Sequence, residues 1–135
     1  MQNGHSDVTT EGIRIRVGAQ YLPDRSSPDV GRFAYAYRVR ISNDGSAPAQ
    51  LISREWIIID ADNGERRVQG EGVVGEQPLL QPGESYEYVS GSSMPTEWGT
   101  MEGSFAFIRE NGDAFEAQIG RFFLAPSAAP LSAED

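Results

Sequence analysis

The 135-residue chain has no cysteine, no lysine and only one histidine, His5. Without cysteine it can form no disulfide, thiolate zinc site or cysteine nucleophile. A Ser-His-Asp unit would depend on His5, which lies in a polar segment that we expect to be mobile. Transition metals are normally bound through imidazole or thiolate groups. We therefore expect no catalytic residue, no enzyme activity, no dedicated metal site and no cofactor.

The chain also has no excess of positive charge and no long hydrophobic run. Its 20 acidic residues outnumber 11 basic ones, which gives a formal net charge of -9. The mean electrostatic field therefore repels phosphate backbones, and we expect no nucleic-acid partner. No stretch approaches the roughly 20 apolar residues of a membrane helix, so we expect no membrane insertion. The missing cysteine suits a reducing compartment and predicts a cytoplasmic protein.

Glycine and proline are frequent, with 15 and 8 residues, and their spacing leaves little room for long helices. The segments between them have the period-two alternation of half-buried strands, most clearly in residues 33–42. Further strands are predicted at residues 13–17, 48–61, 65–68, 85–90, 103–109 and 115–124. About seven short strands with regular turns predict an all-β, antiparallel sandwich of the fibronectin type III or immunoglobulin-like class.

One domain is predicted over residues 12–124. The flanking segments, residues 1–11 and 125–135, are polar or rich in small residues, so we expect two flexible tails. Asn111 and Gly112 predict a type I′ hairpin between the last two strands. The predicted core consists of Phe33, Tyr35, Tyr37, Val39, Ile41, Trp56, Ile58 and Phe105.

A glycine motif, Gly70-x-Gly72-x-x-Gly75, formally matches the dinucleotide-binding fingerprint. The fingerprint needs a helix after its glycines, but two valines within the motif and Pro78 shortly after it disfavour one. The glycines then serve bends between strands, and the alternative is a nest of backbone amides that binds an anion. The candidate residues for ligand or partner binding are Gly70, Gly72, Gly75, Gln77 and Pro78, with Arg66 and Arg67 as the nearest cations.

Two side-chain groups allow further interpretations. Glu71, Glu76 and Glu84 could bind a hard cation such as Mg²⁺ weakly, although adjacent carboxylates are expected on so acidic a surface. Tyr86, Tyr88 and Trp98 either pack in the core or form part of a partner surface.

A long run of residues carries a family resemblance. It comprises Gly70-Glu71-Gly72-Val73-Val74-Gly75-Glu76-Gln77-Pro78, Leu80-Gln81-Pro82-Gly83-Glu84 and Tyr88-Val89-Ser90-Gly91. Shorter matches are Phe33-Ala34-Tyr35, Leu51-Ile52-Ser53-Arg54, Trp56-Ile57-Ile58 and Gly99-Thr100-Met101-Glu102-Gly103-Ser104. Together they cover roughly residues 13–124 in order, and the chain resembles the ApaG family.

The resemblance implies a fibronectin type III-like sandwich in a small bacterial cytoplasmic protein linked to cobalt and magnesium tolerance. It also implies an interaction module, since the domain recurs in eukaryotic F-box and polymerase-interacting proteins, and it implies no enzyme activity. The family's Arg-His-Trp triplet is Arg54-Glu55-Trp56 here, so a role of that histidine in metal binding is not carried over.

These observations together predict a non-catalytic binding module that recognises a protein partner through residues 70–91. Loops on a rigid sandwich commonly carry recognition, and this segment is dense in glycine, proline and aromatic residues. The alternative is a sensor that weakly binds divalent cations or phosphorylated nucleotides through residues 70–75.

Overall fold

A computed structural model describes residues 4–126 of the chain. The described part contains two short 3₁₀ segments, Pro23–Arg25 and Pro28–Val30, and nine strands. The strands are β1 (His5–Thr10), β2 (Ile13–Tyr21), β3 (Phe33–Asn43), β4 (Ala49–Asp60), β5 (Glu65–Glu71), β6 (Leu79–Leu80), β7 (Ser85–Met94), β8 (Gly99–Arg109) and β9 (Ala114–Leu124). Neither helical segment within residues 4–126 is long or apolar enough to cross a membrane.

The strands form two antiparallel sheets. The first has the order β1-β2-β3-β7, and the second has the order β5-β4-β8-β9, with the two-residue β6 also paired to β4. This arrangement confirms the predicted fibronectin type III-like sandwich. The two strands beyond the predicted seven are β1 and β6, one at the edge of the first sheet and one too short to show alternation in the sequence.

The core lies between the sheets and is built from the inward-facing residues of each strand. The predicted core is confirmed except at Phe33, which is only half-buried. Trp56 stands at its centre, with ring centroids 5.2 Å from Tyr37, 6.2 Å from Phe105 and 6.1 Å from Phe122. Because these aromatic rings belong to both sheets, Trp56 joins the two layers.

The expected flexible N-terminal tail is wrong over residues 5–10, which form β1 against β2. The strand is held by ladder bonds and by Arg14, whose Nε and Nη2 donate to the carboxylate of Asp7 at 2.9 and 2.7 Å. The sequence of β1 has no alternation of apolar and polar residues that would predict a strand. The strand is held instead by its backbone pairing with β2 and its packing against β9. Residues 1–3 and 127–135 lie outside the described part, and Ala125, assigned to the C-terminal tail, is buried.

The turn between β8 and β9 is not of type I′. Among residues 110–113 only Gly112 has a positive φ, of 92°. Asn111 stays out of the left-handed region because its Oδ1 accepts the backbone N–H of Asp113 at 2.9 Å, a local turn of the side chain onto the main chain.

The two long sides of the sandwich differ in how their edges are covered. On the closed side, which we define as β1, β2 and β9, the edge strand β9 packs against the other two, and the N–H of Gln118 donates to Thr10 Oγ1 at 3.1 Å. On the open side, β5 ends the second sheet and β7 ends the first. A cleft enters the sandwich between these two free edges.

Candidate functional site: an arginine-lined cleft

The cleft on the open side has a volume of about 530 Å³. Tyr35, Tyr37 and Trp56 contribute aromatic surface from inside the sandwich, and β7 contributes small residues between Ser90 and Ser93. The charged side chains that line it are all arginines, and no Asp or Glu lines it. We call it the arginine cleft, after Arg25, Arg32, Arg54 and Arg66.

Arg25 and Arg32 come from the loop that joins β2 to β3. The loop is short and braced: Ser27 and Arg32 exchange two backbone hydrogen bonds of 2.7 and 3.1 Å. Ser26 Oγ donates to Leu22 O at 2.8 Å and accepts the N–H of Ala34 at 2.8 Å. Two prolines that begin the 3₁₀ segments fix φ further. The loop therefore holds both arginines at the cleft while their guanidinium groups remain exposed.

Arg54 lies on β4 and is partly buried. Its Nη1 donates to Glu71 O at 3.1 Å and to Gly72 O at 2.9 Å. The guanidinium crosses the main chain of β5 at Gly70, where an added Cβ would lie 2.8 Å from Nη1 and Nη2. Gly70 thus leaves room for the guanidinium over β5, and the two carbonyl oxygens hold Arg54 in place.

Arg66 lies on β5 and reaches across the mouth of the cleft to β7. Its Nη2 donates to Ser92 Oγ and to Ser93 O, both at 3.1 Å. This pair of bonds links the free edges of the two sheets. Since only one nitrogen of the guanidinium is used, Nε and Nη1 remain available as donors.

The four cleft arginines share the lack of a carboxylate partner among residues 4–126, whereas five arginines elsewhere have one. No nitrogen of these four side chains lies within 4.0 Å of a carboxylate oxygen among residues 4–126. Arginines elsewhere do form such pairs, namely Arg14 with Asp7, Arg38 with Glu87, Arg67 with Glu55 and Glu65, Arg109 with Glu11, and Arg121 with Glu102. An acidic chain thus has a concave site of uncompensated positive charge.

Two buried hydrogen-bond donors, one in the cleft lining and one further along β7, have no partner among the described residues. Trp56, which lines the cleft, is 2% exposed, and its Nε1 makes no hydrogen bond. Tyr88, two residues before Ser90 on the same face of β7, is 8% exposed, and its hydroxyl is also without a partner. Burial raises the pKa of Tyr88 strongly, and the nearby charge of Arg54 only partly opposes this shift. The hydroxyl therefore keeps its proton and remains a donor.

The glycine motif forms a tight hairpin at the end of β5. Val73 and Glu76 exchange backbone hydrogen bonds of 2.8 and 2.9 Å. The central residues, Val74 and Gly75, have φ of 43° and 83°, as in a type I′ turn. Gly72 has φ of 64°, and its N–H donates to Ile52 O at 2.8 Å. The amides of Gly72, Val73 and Glu76 are therefore already used within the chain.

The other sequence-predicted residues do not converge on one point. Gln77 Nε2 donates to Ile52 O at 2.8 Å, and Pro78 O accepts the N–H of Leu51 at 3.0 Å, so both attach this segment to β4. Arg66 lines the cleft, whereas Arg67, the next residue on the strand, points to the opposite face of the sheet. Of the seven candidates, the structure brings only Arg66 to the cleft lining within residues 4–126. Gly70 lies beneath the guanidinium of Arg54, and Gly72 contributes a carbonyl oxygen to it.

Glu55 lies on the outer face of the second sheet, away from the cleft. It accepts a 2.7 Å hydrogen bond from Gln69 Nε2 and pairs with Arg67 at 3.6 Å. Arg54 and Trp56, on either side of it in the chain, both line the cleft. Glu55 therefore belongs to the outer surface, while the residues on either side of it face the cleft.

Carboxylates and histidine give no metal centre in the part of the chain that the structure describes. No three His, Cys, Asp or Glu side chains between residues 4 and 126 group so that they could hold an ion. Glu71, Glu76 and Glu84 are all exposed. His5 lies on β1, at the opposite edge of the first sheet from the serines of β7.

The aromatic candidates divide between the two interpretations. Tyr88 belongs to the core, and Tyr86 packs partly against it. Trp98 is 41% exposed and has Phe123 as its aromatic neighbour at 6.4 Å.

Sequence reasoning missed Arg25, Arg32 and Arg54 as site residues. Their separation of up to 29 positions has no local pattern, and only the packing of the two sheets against each other brings the β2–β3 loop of the first sheet close to β4 of the second. One available signal was Arg54, which belongs to a segment that carries the family resemblance.

Known proteins of one family are similar to this chain over most of its length. The family model described as ApaG domain matches residues 23–109. Protein ApaG of Dechloromonas aromatica is 48% identical over 124 residues, which cover 92% of this chain and 98% of that protein. Protein ApaG of Thiobacillus denitrificans is 50% identical over 113 residues, covering 84% and 89%.

A crystal structure from Bordetella pertussis, described as that of an ApaA protein, aligns with a TM-score of 0.84 at 43% identity. The alignment covers 96% of this chain and all of that one. The C-terminal domain of Wzt aligns with a TM-score of 0.51 at 13% identity, a likeness of fold alone.

Proposed function

This chain belongs to the ApaG family, and we propose that it is a non-catalytic binding module that recognises a protein partner on its open side. The observation that carries the proposal is the hairpin tip at Val74. A β-branched residue with positive φ is a rare and strained conformation. Val74 nevertheless adopts it with 56% of its surface exposed, so the fold holds an apolar side chain outward at some cost.

The free strand edges support the same surface. β5 and β7 each have one paired neighbour, so each offers unpaired backbone groups along its outer edge. Such edges accept an added strand from another chain, with main-chain hydrogen bonds that provide affinity. The small side chains of β7 from Ser90 to Ser93 allow a close approach. Partner recognition therefore combines an edge strand with an apolar contact at Val74.

The protein of this proposal works in the cytoplasm, a location that the absence of cysteine supports. The link to cobalt and magnesium tolerance that the family resemblance implies is then an effect transmitted through the partner, because the chain has no thiolate and only one imidazole to bind a metal ion.

Site-specific photocrosslinking tests the partner surface. A photoreactive amino acid replaces Val74 in one variant and Asp113, an exposed residue of the β8–β9 hairpin, in a control variant. We expect a discrete covalent adduct from the first position alone, and excess unlabelled parent protein should suppress it. With the crosslinked protein identified, Val74→Asp should weaken its binding at least about tenfold, because a charge would be buried at an apolar contact.

Adducts of equal yield from both positions, or none from Val74, would contradict the proposed surface. Asp113→Asn is the matched variant for the binding measurement and should leave the affinity unchanged.

A further inference from the structure

We propose that the arginine cleft is a binding site for a small-molecule oxyanion, with a phosphate or diphosphate group as the part that is recognised. This site differs from the partner surface proposed above, and its test does not depend on any protein partner. It also differs from the glycine motif, since the charged groups that bind the anion come from other parts of the chain.

The positive charge of the cleft favours an anionic ligand. Four guanidinium groups share one concavity without a carboxylate partner, in a chain whose formal charge is -9. Like charges in a cleft with low-dielectric walls repel one another, and the walls concentrate their field. An anion relieves this repulsion. A purely structural role would be better served by the ion pairs that other arginines of this chain form.

Preorganisation is the second argument. Arg54 is held by two carbonyl oxygens, and Arg66 is held by Ser92 and Ser93. Each guanidinium thus loses little conformational entropy when it donates its remaining N–H groups. The planar fork of arginine matches two oxygens of a phosphate, which favours this class of anion over a halide. Arg25 and Arg32 add exposed positive charge to the cleft.

The buried donors are the third argument. Trp56 lines the cleft, yet its indole N–H makes no hydrogen bond. An unpaired buried donor costs free energy that folding alone does not recover. An oxyanion in the cleft places acceptor oxygens beside Trp56, whose indole N–H has no acceptor among the described residues. The Tyr88 hydroxyl is a second unpaired donor nearby.

The hairpin at residues 72–76 is a poorer anion site by the same criteria. Its amides at Gly72, Val73 and Glu76 are engaged in backbone hydrogen bonds. Glu71 and Glu76, both exposed, add negative charge beside it.

Nuclear magnetic resonance tests anion binding through the two tryptophans. The full-length protein should show two indole N–H signals in a ¹H–¹⁵N correlation spectrum, and the signal that disappears in the Trp98→Phe variant is that of Trp98. Titration with inorganic pyrophosphate should move the Trp56 signal in a saturable way and leave that of Trp98, which does not line the cleft, in place. Inorganic phosphate should bind more weakly because it carries less charge, and both affinities should fall as salt is added. Adenosine, an aromatic compound without charge, should have no effect.

Matched charge variants locate the site. Arg25→Gln combined with Arg32→Gln should weaken pyrophosphate binding at least about tenfold, since two charge-assisted contacts are lost. Neither side chain forms an ion pair among the described residues, so the variant should fold normally. Arg38→Gln is the control: Arg38 lies on β3, is exposed and pairs with Glu87 at 3.9 Å on the outer face. It should change the affinity less than about twofold, although it removes a positive charge from the same sheet.

The proposal is overturned if about 10 mM pyrophosphate leaves the Trp56 signal unchanged, a limit that corresponds to binding too weak to be specific. It is also overturned if Arg38→Gln weakens binding as much as the cleft variant, or if adenosine alone moves the signal. None of these outcomes affects the crosslinking result at Val74, so the two proposals fail separately.

Discussion

On the closed side of the sandwich β9 lies against β1 and β2, whereas on the open side the edges of β5 and β7 are bridged mainly by the side chain of Arg66. The closed side packs main chain against side chains: the Cα of Gly120 faces Val8 and Ser6 so closely that a Cβ would lie 2.7 Å from Val8 Cγ2. The open side leaves a cleft lined by four arginines and by Trp56. The two long sides of one sandwich therefore differ in packing: strand contacts close one, and the other is left open as a cleft.

The largest loss of stability is expected on the open side, at the hairpin of residues 72–76. Gly72→Ala adds a Cβ at φ of 64°, directly against the carbonyl oxygen of Glu76, which closes the hairpin. We expect a loss of about 2–4 kcal/mol in the free energy of unfolding, from conformational strain together with the clash. Urea denaturation measures it.

Gly75→Ala is the control for this prediction. Gly75 has φ of 83°, but no atom lies within 4 Å of its added Cβ, so only strain remains and about 1 kcal/mol should be lost. Equal losses at the two positions would show that the contact with Glu76 does not matter.

A matched pair of glycines compares the two sides directly. Gly120→Ala, in edge strand β9, should lose about 1–3 kcal/mol because the methyl group would displace β1 at Val8 and Ser6. Gly91→Ala, in edge strand β7, meets its nearest neighbour, Tyr35 O, at 3.4 Å. Its stability should change by less than about 0.5 kcal/mol.

Thermal and urea unfolding of both variants measure this difference. If Gly91→Ala were as costly as Gly120→Ala, the open side would be packed as tightly as the closed side. The loss in Gly120→Ala should also shrink when residues 1–10 are removed, since β1 supplies the clashing atoms.

The smallest loss of stability is expected at the ion pair between Asp7 on β1 and Arg14 on β2. The hydrogen bond from Arg14 lowers the pKa of Asp7 below its ordinary value of 3.8. A carboxyl whose pKa is lower in the folded state stabilises the fold above its unfolded pKa, and this contribution disappears as the pH falls through the folded pKa. Both side chains are more than a third exposed, so Asp7→Asn should lose only about 0.5 kcal/mol or less at pH 7.

Unfolding of the Asp7→Asn variant and the parent should therefore differ at neutral pH and coincide in acid, near pH 2. Asp62→Asn is the control for the loss of an exposed carboxylate that forms no ion pair among the described residues. A difference that persists in acid would assign the effect to the structure of β1 rather than to the charge.

The sequence alone determined the elements that depend on neighbouring residues. Period-two alternation identified β3, β4 and the inward set around Trp56, because side chains of a strand point alternately to core and solvent. The bend at residues 70–75 was also predicted correctly in preference to a helix, since valines and Pro78 disfavour a helix there. The family followed from motifs spread over most of the chain.

Only the tertiary structure decided which edges stay free and what gathers between them. Nothing local distinguishes Arg66, which lines the cleft, from Arg67, which pairs with Glu55 and Glu65 on the outer face. Likewise β1 was read as a tail because its stability comes from pairing with β2 and packing on β9. Sheet order and strand register are long-range properties: they depend on which surfaces meet when the two layers pack, and no window of neighbouring residues contains that information.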